Sequence, residues 1–307
     1  MAIGSRLCGT LLLWALAVSG CSLNKFAADR VGSIASGSSV YMRGFWDYEI
    51  ARQGMAAAIM QLESMHSVSP DNEELTLALV STYVGYGFGW LEVDMGKARN
   101  AGRFVEADRL RARGELVYRR ARDLAVAVMR YRDAAIDAKL LEKPAQFSRY
   151  LNDHYKDPKA DVAPVFWTAI AWGSLLNLTE QVDLAVDLPT IKALIEHSAK
   201  LDPGFQSAGA LMFLGGFYAQ FPAEFGGSPE KGKAYFERAL KLTGRRAHVV
   251  QLNYARLYAL TVGDQALFAA LLNEIMAADD RGSDVRLSNK IARMHAEVLL
   301  SDTSRLQ

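Results

Sequence analysis

Two cysteines in 307 residues, Cys8 and Cys21, are too few for a disulfide framework, so stability has to come from packing. An excess of charge of one sign is missing as well, with 35 Lys and Arg against 34 Asp and Glu. Phosphate neutralisation needs a basic face. The one basic run, Arg109, Arg111, Arg113, Arg119, Arg120 and Arg122, is interleaved with Glu106, Asp108, Glu115 and Asp123. That pattern reads as the solvated side of a long helix, and no nucleic-acid partner is expected. No Asn-Gly or Asp-Gly pair occurs, so β-hairpin signals are absent and the fold class expected is all-α.

Motifs that carry chemistry are also missing. His66, His154, His197, His248 and His295 form no His-Glu-x-x-His or other i, i+4 metal pair. There is no Gly-x-Ser-x-Gly elbow for a serine nucleophile. His154, with Asp153, Tyr155 and Asp157, is the nearest thing to an acid/base cluster, and plain surface loop is the favoured reading. Gly85-Tyr86-Gly87-Phe88-Gly89-Trp90 resembles a phosphate loop only superficially. It follows a helix and precedes no Lys-Ser/Thr pair, so it reads as close helix packing or a wall against a ligand. Neither an enzyme nor a bound cofactor or metal is expected.

What the chain does contain begins with an address. Arg6 precedes a twelve-residue apolar run, Leu7 to Val18, too short for the roughly 20 residues of a membrane span. Val18-Ser19-Gly20-Cys21 closes it and resembles the bacterial lipobox, in which cleavage precedes the Cys and its thiol carries lipid; a plain signal peptide cut nearby is the alternative. Cleavage after Gly20 removes only Arg6 among the charged side chains, leaving 34 of each sign. The organisation expected is a signal peptide over 1–20, a Gly/Ser-rich lipid-anchored tether over 21–44, docked through Ile34, Val40 and Tyr41, and one helical-repeat domain over 45–307.

From Phe45 on, apolar residues recur at threes and fours. Ser69-Pro70-Asp71-Asn72 separates the first two helices. Phe104 to Tyr131 reads as one charged helix burying Val105, Ala107, Leu110, Leu116, Tyr118, Ala121, Leu124 and Val128. Residues 139–162 have no sustained period and read as a long excursion from the stack. The helix after Pro164 is apolar nearly all round through Phe166, Trp167, Ile170, Trp172 and Leu176, as a core helix or a cavity wall would be. Phe205 to Leu242 reads as two amphipathic helices folded back on each other, with Gly215 at the close approach. Leu287 to Leu300 is expected to cap the array. Trp90, Phe166, Trp167, Trp172, Phe217, Tyr218 and Phe225 are the candidate surface for an apolar ligand or a partner.

The recurring grammar, clearest in Leu214, Gly215, Tyr218, Phe236, Ala239 and Leu242 and in Leu201-Asp202-Pro203, resembles a degenerate tetratricopeptide repeat. A helical-hairpin solenoid is therefore expected. Taken in order, the lipobox, Ser69-Pro70-Asp71-Asn72, Tyr118-Arg119-Arg120-Ala121-Arg122-Asp123, Pro164-Val165-Phe166-Trp167, Phe225-Gly226-Gly227-Ser228-Pro229-Glu230-Lys231 and Leu287-Ser288-Asn289-Lys290-Ile291-Ala292 resemble the T-component lipoproteins of tripartite ATP-independent periplasmic (TRAP) transporters. That resemblance implies a periplasm-facing homotrimer with an apolar cleft or pore and a solute-binding protein as partner. Ser22 after the anchor, by resemblance to sorted lipoproteins, implies the outer membrane. A repeat scaffold for envelope or outer-membrane assembly, with no transport role, is the competing reading.

Overall fold

The computed structural model describes Lys25, Arg30, Ile34, Gly37, residues 41–179 and residues 186–302. Cys21, the signal peptide and most of the tether lie outside the described residues. Ile34 and Tyr41, expected to dock the tether, are both exposed.

Every regular element among the described residues is helical. α1 (Tyr48–Val68) starts where the Asp47 carboxylate accepts the Ile50 N–H at 2.8 Å, and α2 (Glu73–Tyr86) where Asn72 does the same for Leu75. Each cap satisfies one of the donors a helix start leaves orphaned. Past Tyr86 the chain continues helically through a π turn (Gly87–Leu91) into α3 (Glu92–Asn100). Gly102, at φ +71°, then allows the reversal into α4 (Phe104–Arg132).

α4 has the expected length but not the expected buried side. Ala107, Gly114, Tyr118, Ala121, Leu124, Ala125, Val128 and Met129 are buried, whereas Val105 and Leu116 are each 68% exposed. At 100° per residue those two positions lie 140° and 160° from Tyr118, on the opposite side of the helix.

Residues 139–162 are not an excursion. They contain α5 (Ala138–Leu141), α6 (Pro144–His154) and the start of α7 (Pro158–Leu178). Phe147, Leu151 and Tyr155, four apart, are buried, a stripe too sparse to stand out among charges. Pro144 and Pro158 occupy first-turn positions, where a missing N–H costs nothing. α7 therefore starts six residues before Pro164, which sits inside it. The carbonyl that Pro164 cannot engage, that of Ala160 four residues back, accepts the Arg132 guanidinium at 3.0 Å. The same guanidinium bonds Glu73 and Asp161, each at 2.6 Å, tying α2, α4 and α7 together.

The second half runs through α8 (Leu188–Leu201), α9 (Phe205–Gln220), a 3-10 turn (Ala223–Phe225) and α10 (Pro229–Thr243). α9 and α10 are the expected hairpin. A Cβ on Gly215 would fall 2.6 Å from the Phe236 ring, so glycine there sets the interhelical distance. α9 is buried nearly all round rather than amphipathic as expected. α11 (His248–Asn253) passes through a second π turn (Tyr254–Ala259) into α12 (Leu260–Val262), followed by α13 (Gln265–Ala277) and α14 (Arg286–Ser301).

Most helices pack on partners one to three places away in the chain, as α4 does on α2 and α7 and α9 does on α10, until α14. It packs on α11 and α13 and also reaches back to α3 and α1. The Asn100 amide donates to the Val298 carbonyl at 2.7 Å, and His295 bonds the Phe88 carbonyl at 2.9 Å. The last helix thus joins the C-terminal helices to the N-terminal ones, beside a partly open central space.

Candidate functional site

The central space is a partly open cavity of about 570 Å³ walled by α2, the first π turn, α7, α9, the second π turn and α14. That volume lies within the usual range for a ligand site. Its walls are chiefly aromatic and aliphatic: Phe88, Phe166, Trp167, Ile170, Phe213, Phe217, Leu257 and Ile291. α7 and α9 run side by side along it. Phe166 meets Phe205 edge-on at 5.2 Å. A Cβ on Gly209 would fall 2.6 Å from the Phe166 ring, so the absence of a side chain there lets that ring lie against the α9 backbone.

At its start α9 is left-handed. Gln206, Ser207 and Ala208 have φ of 49°, 58° and 61°, a conformation costing about 1–2 kcal/mol per non-glycine residue. Three in succession persist only where the surroundings over-determine them. Ala208 is fully buried in the C-terminal core, and the Gln206 amide oxygen accepts the Arg43 Nη1 at 3.1 Å. Gln206 and Ser207 thereby face the cavity.

The π turns shape the opposite wall. A π turn displaces carbonyls from the regular helical ladder, and in the first turn two of them find side-chain donors. Tyr48 donates to Gly89 at 2.7 Å, and His295 Nε2 meets Phe88. The His295 ring stacks on Phe88 at 4.4 Å. Burial and the Arg256 cation push the imidazole down to about 3, against a weaker opposing pull from the Phe88 carbonyl. It is therefore neutral at pH 7, with the Nε2–H donated. From the second π turn Arg256 lies 5.3 Å from the Phe88 ring centre and 3.6 Å from Glu92. Glu92 also accepts the hydroxyl of Tyr118, whose burial and neighbouring carboxylate keep it protonated.

Among the aromatic residues singled out in the sequence, the fold brings Phe166, Trp167 and Phe217 together on the cavity wall. Trp90, on the first π turn, is fully buried, its ring 5.3 Å from that of Tyr48 on α1. Trp172 turns away, its indole N–H donating to Asp187 at 2.9 Å. Tyr218 stacks on Tyr235 and contacts Lys192 and Lys231. The side chain of Phe225 lies outside the described residues. Phe88, inside the Gly85 to Trp90 stretch, does form a wall. Arg43, Phe213, Arg256 and Leu257 also line the cavity with no prior signal, because they meet only through contacts far apart in the chain. The His154 cluster is a helix end, with Tyr150 stacked on His154 at 4.2 Å. Among the described residues no group of three or more His, Cys, Asp and Glu side chains could hold a metal ion, and no helix is long and apolar enough to cross a membrane. The arrangement can hold an apolar molecule out of water.

A family model described as TRAP transporter T-component matches residues 46–306. An uncharacterized protein of Treponema pallidum (strain Nichols) is 23% identical over 246 residues, which cover 76% of this chain and 72% of that protein.

Proposed function

The chain belongs to the TRAP transporter T-component family, and from that premise we propose that it is the periplasm-facing accessory lipoprotein of such a transporter, docking the solute-binding protein and holding a hydrophobic ligand in its cavity. The observation that carries the ligand half of this reading is a partly open cavity of about 570 Å³ between the helices, with chiefly aromatic and aliphatic walls. Soluble domains rarely keep such space without an occupant. Family membership supports association with the other transporter components and a membrane-associated, periplasmic setting. Lipidation at Cys21, outer-membrane sorting and a homotrimer complete the proposal.

Trp167 on the cavity wall provides a local reporter. A soluble version starting at Ser22 should change its tryptophan emission on titration with hydrophobic ligands, and Trp167→Phe should remove most of that change. No response across a broad lipid panel would end the cavity reading. The remaining claims meet one test, purification of the full chain from membranes. The expected preparation has a diacylglyceryl-modified Cys21, the mass of a trimer and a retained solute-binding protein. Recovery of envelope-assembly proteins alone would favour the scaffold reading instead.

A further inference from the structure

Among the described residues three charged side chains line the cavity: Arg43, Glu92 and Arg256. Two of them answer each other. Arg256 pairs with Glu92 at 3.6 Å and donates through Nε to Asn253 at 3.0 Å. Arg43 is different, because among the described residues it has no carboxylate partner. Its hydrogen bond goes to the neutral amide oxygen of Gln206, which uses one of five guanidinium donors. A half-buried cation beside an apolar space lacks both full hydration and a counter-ion, and an arriving anion would be attracted more strongly there than in bulk water.

We propose that the cavity takes a single-chain amphiphile with an anionic head, the head bound by Arg43 and the apolar chain lying along α7 and α9. This rests on the cavity being a ligand site and adds the class of ligand. Arg43 is held at the left-handed start of α9 through Gln206, and Ser207 of the same turn faces the same end of the space. Phe166 marks that end on α7, since its ring meets Phe205. From Phe166 to Asn177 the wall of α7 extends about 16 Å at 1.5 Å per residue. Phe166, Ile170, Phe213 and Leu257 offer no hydrogen bonds to a hydroxylated or multiply charged solute, the polar Ser174 and Asn177 lie towards the far end of that stretch, and an alkyl chain needs no partner along it. A guanidinium fork matches carboxylate and phosphate oxygens alike, so a fatty acid and a lysophospholipid share the required chemistry.

Calorimetric titration of the protein starting at Ser22 tests this with dodecanoate, dodecanol, dodecyltrimethylammonium and lysophosphatidylglycerol at neutral pH. Dodecanoate or the lysolipid should bind at least about tenfold more tightly than dodecanol, as expected for one charge-assisted contact, and the cation most weakly. Whichever anion binds more tightly identifies the head. In Arg43→Gln the preference over dodecanol should shrink towards unity, and Arg43→Lys should retain part of it. Gln206→Glu, which supplies an internal counter-ion, should abolish the preference for the anions over dodecanol. Equal affinities for dodecanol and the anions in the wild type, or a preference indifferent to Arg43→Gln and Gln206→Glu, would overturn the head-group assignment and leave the cavity standing. Binding of no amphiphile at all would overturn both.

Discussion

His295 illustrates how a single residue can couple the closure of the fold to pH. Its imidazole is held at about 3 by burial and by Arg256, against about 6.5 in an unfolded chain. Between those values the unfolded state binds the extra proton, so the contribution of neutral His295 is complete above pH 6.5 and is lost as pH falls towards 3. The whole shift corresponds to on the order of 4–5 kcal/mol, and about 2–3 kcal/mol of it falls between pH 6.5 and 4.5. Burial moves His66, His197 and His248 in the same direction, so acid should weaken the protein at several points. Denaturant unfolding at pH 7 and pH 4.5 measures the sum. His295→Gln keeps a donor for the Phe88 carbonyl but cannot titrate, and should lose about 2–3 kcal/mol less stability between the two pH values than the wild type does. An equal loss in both proteins would refute the assignment. The left-handed Gln206-Ser207-Ala208 turn is the other residue-scale device, since its conformational cost is offset by burial of Ala208 and leaves Gln206 and Ser207 facing the cavity.

At the scale of one element, α4 separates periodicity from orientation. Apolar residues at threes and fours identified it as a helix from Phe104 onward, yet Val105 and Leu116 lie on its outer side. Both are apolar, but neither falls on the stripe of Ala107, Gly114, Tyr118, Ala121 and Ala125, where small residues let α2 and α7 approach and Tyr118 fills the space between. Leu116→Glu should therefore change unfolding free energy by no more than about 0.5 kcal/mol. Tyr118→Ala should cost about 3–5 kcal/mol by leaving a large cavity and removing the hydroxyl from Glu92. Thermal and denaturant melts of the two variants decide the matter, and a strongly destabilised Leu116→Glu would mean the face is covered. α6 makes the complementary point, because a helix can be cut by charges into a pattern too thin to read and still dock through Phe147 and Leu151.

For the molecule as a whole, ring closure by α14 is the decisive feature. It buries Leu287, Ala292, Ala296 and Leu299 and carries His295 to Phe88. Ending the chain after Asp284 should lower stability by more than about 3 kcal/mol, from the lost burial alone. It should also increase binding of an apolar fluorescent dye as the cavity wall opens. A truncated chain with unchanged melting and dye binding would show that the ring closes without its last helix. The sequence by itself determined the helical class, several helix boundaries, the close approach at Gly215 and the family, because caps, prolines and 3.6-residue periodicity act over a few neighbours in the chain. It also marked Phe166, Trp167 and Phe217 as apolar candidates while leaving Trp90 and Trp172 indistinguishable from them. Only the tertiary structure decided which aromatics face the cavity, that Arg43 reaches Gln206 across the fold, and that the ends of the helical domain meet. Those facts depend on contacts between residues 163 to 207 positions apart, and no local pattern encodes the side of a helix on which so distant a neighbour will arrive.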